Sequence, residues 1–435
     1  MPETKSKKIS VQTVGCRLNQ YESEKIAAQL YPFGFDRAQQ NETADLYIIN
    51  TCTVTHKADA DCRNLIRRAA RKNPNSRIVV TGCYVDNDPS RVAGMEGVDL
   101  IIQNAEKDEI ARILPEKLPD LFRSEPDKNC STLVTDFFDH NRAWLKVSDG
   151  CNQWCSFCII PTVRGRIRNR NASDIIDEIN SLVESGYKEV VLTGVHIGHY
   201  RSRKVEPFVK NLAGLCRMIL KETDLYRLRI SSIEPQTVRD ELVEVYAESN
   251  GRICRHMHLP LQSGSSRILR LMQRPYDQNT YIRRVQSVRN AVENTTVGAD
   301  VIVGFPGETD EDFEHTRRLA ESGLIDYLHV FSYSDRRDTP ASRMPDKVDP
   351  TVIKERNAIL TRISNDLKAR CHARQVGRTL DVISQHKPNP DGSYWGVSDN
   401  YLKVKLPPTI TPGREIVKVR ITSASEDFIS GEVIV

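Results

Sequence analysis

Three thiols stand close together in Gly150-Cys151-Asn152-Gln153-Trp154-Cys155-Ser156-Phe157-Cys158. Thiolates are soft ligands suited to iron–sulfur clusters or zinc, so this loop is the first candidate for chemistry. A cubane held by only three cysteines keeps one iron open, and activation of a small molecule at a metal requires such an open position. The competing reading is a zinc knuckle, which normally shows paired Cys-x-x-Cys elements and a fourth ligand. A second set is dispersed: Cys16 in Val-Gly-Cys, Cys52 in Asn-Thr-Cys and Cys83 in Thr-Gly-Cys. These are either further ligands or small buried hydrophobes, the reading given to Cys62, Cys130, Cys216, Cys254 and Cys371.

The elements that must position these residues follow from periodicity. From Lys8 to about Leu114 four strand-then-helix units are expected, with strands at Ile9 to Val14, Leu46 to Asn50, Ile78 to Thr81 and Val98 to Gln103. Such alternation predicts a parallel, doubly wound sheet. Cys16, Cys52 and Cys83 then fall just past the ends of its first three strands, where open parallel sheets place ligands. The proline-bearing, acidic stretch from Pro115 to about Asn141 reads as a linker.

Six more apolar runs begin near Trp144, Val190, Leu228, His256, Val301 and Leu328 and alternate with amphipathic segments, which predicts a partial (β/α)6 barrel. Chemistry in such barrels gathers where strands hand over to loops, and the cysteine triad follows the first strand. After a charged helix through Lys354 to Arg374, the tail from about Arg378 reads as short β segments, including Leu402 to Leu406, Val417 to Ile421 and Ile429 to Val435, which suggests a small β-barrel. The fold class is therefore α/β, with expected domains at residues 8–118, 137–370 and 373–435.

The 435 residues exceed what one core usually serves, and the formal net charge of +4 is too small to name a partner. No apolar run approaches a membrane span, and Met1 to Lys8 is polar and basic, so a cytoplasmic chain without a membrane partner is expected. Cytosolic thiols stay reduced, which turns eleven cysteines toward metal or redox chemistry. Local charge is more telling. Arg164, Arg166, Arg168 and Arg170 form a dense run straight after the triad, and Lys403, Lys405, Arg414, Lys418 and Arg420 accompany Tyr394, Trp395 and Tyr401 in the tail. Phosphates and stacked bases are natural partners for both, although a solvated charged loop and core aromatics would give the same pattern.

Cys-x-x-x-Cys-x-x-Cys with an aromatic before the last cysteine resembles the radical S-adenosylmethionine superfamily. The resemblance implies that Cys151, Cys155 and Cys158 hold a [4Fe-4S] cluster whose open iron chelates S-adenosylmethionine, with Phe157 near the adenine. It places the methionine amino group by Thr193 and Gly194, and the adenine by the turn Gly304-Phe305-Pro306. Gly15-Cys16-Arg17-Leu18-Asn19-Gln20-Tyr21-Glu22-Ser23, Asn50-Thr51-Cys52-Thr53-Val54-Thr55 and Thr81-Gly82-Cys83 further resemble the amino-terminal domain of methylthiotransferases. In that family Cys16, Cys52 and Cys83 would hold a second [4Fe-4S] cluster carrying the sulfur, and the tail would be the RNA-gripping TRAM module. His258-Leu259-Pro260-Leu261-Gln262-Ser263-Gly264-Ser265 and Ser231-Ser232-Ile233-Glu234 also resemble barrel segments of the family. The contacts of these segments are left open, with core packing as the alternative for His256 and His258.

The forms around Cys16 and Cys52 look most like the MtaB branch, which adds a methylthio group to threonylcarbamoyladenosine beside the tRNA anticodon. The branches acting on isopentenyladenosine and on a ribosomal-protein aspartate share the chemistry. The resemblance implies that one S-adenosylmethionine methylates sulfur while a second yields the radical that takes hydrogen from adenine C2. It further implies tRNA as partner, Arg164, Arg166, Arg168, Lys403 and Lys405 as RNA contacts, a low-potential electron donor and a monomer. One departure stands out: Asp338 occupies a place where relatives usually have glycine. A zinc-bearing RNA-binding protein without catalysis is the rival class.

Overall fold

The computed structural model describes residues 7–434 except 40–41, 123–124, 128–129, 131, 138–139, 203–207 and 411. Met1 to Ser6 of the basic opening and Val435 of the tail lie outside the described residues. Two compact units divide the chain: residues 1–136 with 149–153 and 158–168, and residues 137–148, 154–157 and 169–435. The cysteine loop contributes to both, Cys151 and Cys158 to the first and Cys155 to the second.

The first unit is built on a parallel sheet of β1 (Lys7–Thr13), β2 (Phe35–Arg37), β3 (Leu46–Thr51), β4 (Arg77–Gly82) and β5 (Leu100–Ile102), in the order β2-β1-β3-β4-β5. β2 is an edge strand of three residues, too short for its periodicity to be read in advance. Central β3, Leu-Tyr-Ile-Ile-Asn-Thr, is buried at every position, as a strand covered on both faces must be. One cover is the helix His56–Lys72, which buries Cys62, Ile66 and Ala69 at helical spacing and starts on Thr55, whose side chain accepts from the Ala58 N–H. Because the order reverses between β1 and β3, the crevice at their C-terminal ends is the topological switch point of the sheet.

Among the described residues the barrel region has seven strands, which lie in the second unit but for Asp149 and Arg168: β6 (Ala143–Asp149), β7 (Arg168–Asn169), β8 (Glu189–Gly194), β9 (Arg227–Ile230), β10 (His256–His258), β11 (Thr296–Val303) and β12 (Tyr327–Ser332). They form one sheet ordered β7-β6-β8-β9 and another ordered β10-β11-β12. A parallel bridge from Ser232 to His258 continues the curve from one sheet to the next. The six expected barrel strands are therefore present, as an open parallel arc, with the two-residue β7 added at one edge.

The tail closes into a barrel of β13 (Thr379–Pro388), β14 (Tyr394–Ser398), β15 (Lys403–Leu406), β16 (Ile416–Ala424) and β17 (Ile429–Ile434). It is bolted to the β/α arc through buried charge. Glu189 pairs with Arg227 and Arg229, and the same guanidiniums donate to the backbone carbonyls of Asp381, Val397, Ser398 and Asp399. Burial alone would raise the Glu189 carboxyl, but Arg229, Arg227 and Arg142 hold it well below the usual range. Among the described residues no helix is long and apolar enough to cross a membrane.

Candidate thiolate sites and their surroundings

Cys16, Cys52 and Cys83 each follow a strand of the first sheet directly or by one short turn. Cys16 stands at the N-cap of the helix Arg17–Leu30, Cys52 comes straight after β3, and Cys83 opens the helix Cys83–Asn87 after β4. The backbone approaches closely here. Gly15 has φ +109, and a Cβ on it would meet the Cys52 Cβ at 2.7 Å; Gly82 has φ +101, and a Cβ on it would meet the Thr51 carbonyl oxygen at 2.4 Å. Only glycine serves at both positions.

Burial pushes the Cys52 thiol up to about 12, and the neighbouring Cys16 and Cys83 push it the same way. The three sulfurs therefore feel one another. A thiol held protonated in this way becomes a ligand when a cationic metal centre displaces its proton. Three thiols at neighbouring strand ends carry the soft-donor chemistry that an iron–sulfur cluster takes.

The surroundings of Cys83 are polar and buried. Asn104 Nδ2 lies 3.7 Å from its sulfur, and Arg164 Nε donates to it at 3.1 Å. Arg164 was expected among the RNA contacts, and the structure corrects that expectation. Its side chain is 1% exposed and pairs with Glu22 at 2.8 Å and Asp149 at 2.9 Å, so it has no face to offer a phosphate. Lys107 Nζ completes the network, 2.7 Å from Glu22 and 2.9 Å from Asn50 Oδ1. The rest of the run behaves differently: Arg166 and Arg168 are exposed, Arg168 lying 3.4 Å from Asp149.

The triad lies in the loop between β6 and the short helix Ile160–Arg164. The Cys151 N–H donates to the Gly165 carbonyl at 3.0 Å, and the Gln153 N–H points at the Cys151 sulfur at 3.3 Å. Cys158 is half-buried. Cys155 is buried, and Arg274 Nη1 donates to its sulfur at 3.1 Å. Arg274 is also bonded to Glu234 and to the Tyr276 hydroxyl. Phe157 packs beside Ile268, Met272, Phe305 and Ala341, while the Ser156 N–H and hydroxyl are fixed by the carbonyls of Met272 and Leu271.

The expected cofactor contacts lie at strand ends of the same unit. Thr193 and Gly194 close β8, with Thr193 buried. The turn from Gly304 is folded on its own carboxylate: Glu308 accepts from the N–H groups of Gly304 at 2.6 Å and Phe305 at 3.3 Å, and pairs with Arg356 at 3.0 Å. The Phe305 ring is wholly buried against Tyr333 and Pro306 is buried too, so both side chains serve packing.

Several groups were not found by sequence reasoning. Both ring nitrogens of His196 are buried without a hydrogen-bond partner, and burial, with His199 and Arg274 beside it, pushes its imidazole down to about 3. His258, whose contacts the sequence left open, lies 3.0 Å from Asp300 and 3.3 Å from the Tyr327 hydroxyl; His258, Asp300 and His329 could share one ion. Burial would raise the Asp300 carboxyl, yet His258 holds it below its usual value. Adjacency of β10, β11 and β12 brings these residues together, and that signal exists only once strand order is known.

In the tail, Lys403 Nζ stands 3.7 Å over the ring of half-buried Trp395, and Lys405 pairs with Asp391 at 2.6 Å. Tyr401 turns inward, stacked on His256 at 4.4 Å and capped by Arg229 at 5.2 Å, and Tyr394 packs against the tail core.

Comparison with known proteins agrees with this layout. Residues 8–103 match the family described as Uncharacterized protein family UPF0004, and residues 145–320 match the Radical SAM superfamily. The threonylcarbamoyladenosine tRNA methylthiotransferase MtaB of Bacillus subtilis is 36% identical, covering 98% of this chain and 96% of its own. The MtaB protein of Aquifex aeolicus is 34% identical over 92% and 96% of the two chains. A tRNA-2-methylthio-N(6)-dimethylallyladenosine synthase of Clostridium novyi is 33% identical over 99% and 97%. Among solved structures, the radical S-adenosylmethionine methyltransferase TsrM of Kitasatospora setae, with cobalamin and a [4Fe-4S] cluster bound, superposes with a TM-score of 0.55 at 14% identity, covering 77% of each chain, a likeness of fold.

Proposed function

The chain belongs to the radical S-adenosylmethionine methylthiotransferases, and on that premise we propose that it adds a methylthio group to C2 of N6-threonylcarbamoyladenosine in tRNA, next to the anticodon. The observation that carries the reading is the presence in one chain of two three-thiol sets, one in a single loop and one gathered at the ends of β1, β3 and β4. When bound, a cluster on Cys151, Cys155 and Cys158 supplies the electron that cleaves S-adenosylmethionine, and one on Cys16, Cys52 and Cys83 supplies the sulfur.

The chain's own residues hold and shield. Arg274, fixed by Glu234, donates to the Cys155 sulfur and sets its direction. Thr193, Gly194 and the backbone of the Gly304 turn are the proposed contacts of the methionine and adenine ends, with Phe157 packed against the apolar cluster that holds Phe305 of that turn. Buried His196 keeps a neutral imidazole whose two nitrogens have no hydrogen-bond partner. Exposed Arg166 and Arg168, Lys403 over Trp395, and Lys405 are the proposed phosphate contacts. Residues 8–118, 137–370 and 373–435 then divide the labour into sulfur supply, radical generation and RNA grip.

The test is anaerobic reconstitution, incubation with S-adenosylmethionine, dithionite and tRNA bearing threonylcarbamoyladenosine, and mass spectrometry of the digested nucleosides. A methylthio mass gain on that nucleoside is expected. Gain on isopentenyladenosine instead overturns the substrate, and absence of cofactor cleavage by an iron-loaded preparation overturns the reaction.

A further inference from the structure

Arg164 uses every hydrogen-bond donor it has, and one of the five is spent on sulfur. Nη1 donates to Glu22 at 2.8 Å and to Asp149 at 2.9 Å, Nη2 donates to Asn19 at 2.7 Å and to Glu22 at 3.0 Å, and Nε donates to Cys83 Sγ at 3.1 Å. A guanidinium has five N–H groups in a fixed fork, so the four oxygen contacts dictate where Nε points. The same Asn19 oxygen lies 3.8 Å from the Cys16 sulfur. One residue further on, the Gly165 carbonyl takes the N–H of Cys151. Adjacent residues thus grip one thiol of the dispersed set and the backbone of one thiol of the loop set.

We propose that Arg164 is a positioning residue for the sulfur-carrying centre: it fixes the Cys83 thiolate and, by placing a buried positive charge and an N–H donor on that ligand, raises the reduction potential of the cluster. The proposal rests on the reading of Cys16, Cys52 and Cys83 as cluster ligands. Its physical basis is general. Net charge and hydrogen bonds to the ligand sulfurs are among the levers that set iron–sulfur potentials, and groups bonded to a ligand orient it. The charge is partly offset by Glu22 and Asp149, but the N–H aimed at the sulfur is shielded from water, where a hydrogen bond to a ligand sulfur is stronger than in solvent. A purely structural guanidinium, tying the helix Arg17–Leu30 to the loop of residues 158–168, would need its carboxylates but not the sulfur.

The experiment isolates the centre in a protein with Cys151→Ala, Cys155→Ala and Cys158→Ala, reconstituted anaerobically, with iron counted and the reduction followed by electron paramagnetic resonance in a potentiometric titration. Arg164→Lys keeps a charge for Glu22 but cannot reach two carboxylates and the sulfur together. It is expected to bind iron in the parent ratio while its reduction equilibrium shifts tenfold toward the oxidised cluster, a fall of about 59 mV for a one-electron couple. Glu22→Gln keeps the N–H on sulfur and removes a negative charge, so its potential is expected to rise. Opposite shifts in the two variants support the proposal. An unchanged potential in folded, iron-loaded Arg164→Lys overturns it, and if that variant does not fold, an unchanged or lowered potential in Glu22→Gln overturns it alone. A parent triple variant that binds no iron instead overturns the assignment of the cysteines as ligands.

Discussion

Cys16, Cys52 and Cys83 come from three strand ends of a parallel sheet, whereas Cys151, Cys155 and Cys158 share one loop, yet each set has a buried guanidinium on one of its sulfurs at the same 3.1 Å. Arg164 reaches Cys83 from a network of two carboxylates, Glu22 and Asp149, and Lys107 adds a second cation. Arg274 reaches Cys155 with a single carboxylate, Glu234, and a tyrosine hydroxyl. The dispersed set therefore depends on a fold to assemble it and on a charge-balanced network to hold it. The loop set is kept near together by its short spacing, and Arg274 fixes the direction of Cys155.

The largest effect that can break this comparison is on the reaction. Cys155→Ala is expected to abolish both deoxyadenosine formation and methylthio product. Cys83→Ala is expected to abolish the product to background while cofactor cleavage continues. Chromatography of both products from one reaction decides the matter, and loss of cleavage in Cys83→Ala would mean the two sets are not separable in function.

The next effect is on stability. Removing one partner of a buried ion pair leaves an uncompensated charge, and with Glu234 at 19% side-chain exposure Glu234→Gln is expected to cost about 2–3 kcal/mol. Asp149→Asn leaves Arg164 its bidentate pair with Glu22 and is expected to cost about 1 kcal/mol. Urea unfolding of the apo variants compares them. Equal costs would show that the second carboxylate adds nothing.

The same contrast explains what could be read from sequence. The triad was legible because its spacing is local, and Cys16, Cys52 and Cys83 because a strand–helix alternation puts them on one edge. Arg274 was not, since its cysteine is 119 positions away and no periodicity connects them. Arg164 misled for a different reason: a run of arginines looks the same whether a member faces water or a buried glutamate, and only the packing of the helix Arg17–Leu30 decides. β13 and β14 fall within the tail read as β from about Arg378 but without bounds of their own, because Thr379–Pro388 is buried mainly in its first half and exposed from Gln385 onward, which blurs alternation.

A pH dependence should sharpen the comparison further, because His196 belongs to the unit of Cys155. Its imidazole titrates at about 3 when folded, against about 6.5 in an unfolded chain. Between these values the unfolded state binds the additional proton, so stability from this group is full above pH 6.5 and falls as pH drops toward 3. The slope is at most about 1.4 kcal/mol per unit. His196→Phe removes both the titration and two unpartnered nitrogens, and is expected to flatten the decline in melting temperature from pH 6.5 to 4.5. An unchanged slope would assign acid sensitivity elsewhere.

The smallest effect concerns backbone conformation. The dispersed set has glycine at Gly15 and Gly82, where φ is positive and the backbone packs closely. In the loop after β12, Asp338 adopts φ +67. Left-handed φ costs a non-glycine residue about 1 kcal/mol, less for aspartate, which bonds locally. Its side chain recovers little, since Arg337 and Arg343 lie 3.9 and 4.0 Å away on an exposed surface. Glycine would relieve the strain but add freedom to the unfolded chain. Asp338→Gly is therefore expected to raise stability by less than about 1 kcal/mol, a shift of at most a few degrees in the melting temperature. A loss instead would mean that Asp338 holds Arg337 or Arg343 in place, and activity on tRNA at rising salt would then show whether those arginines face the RNA.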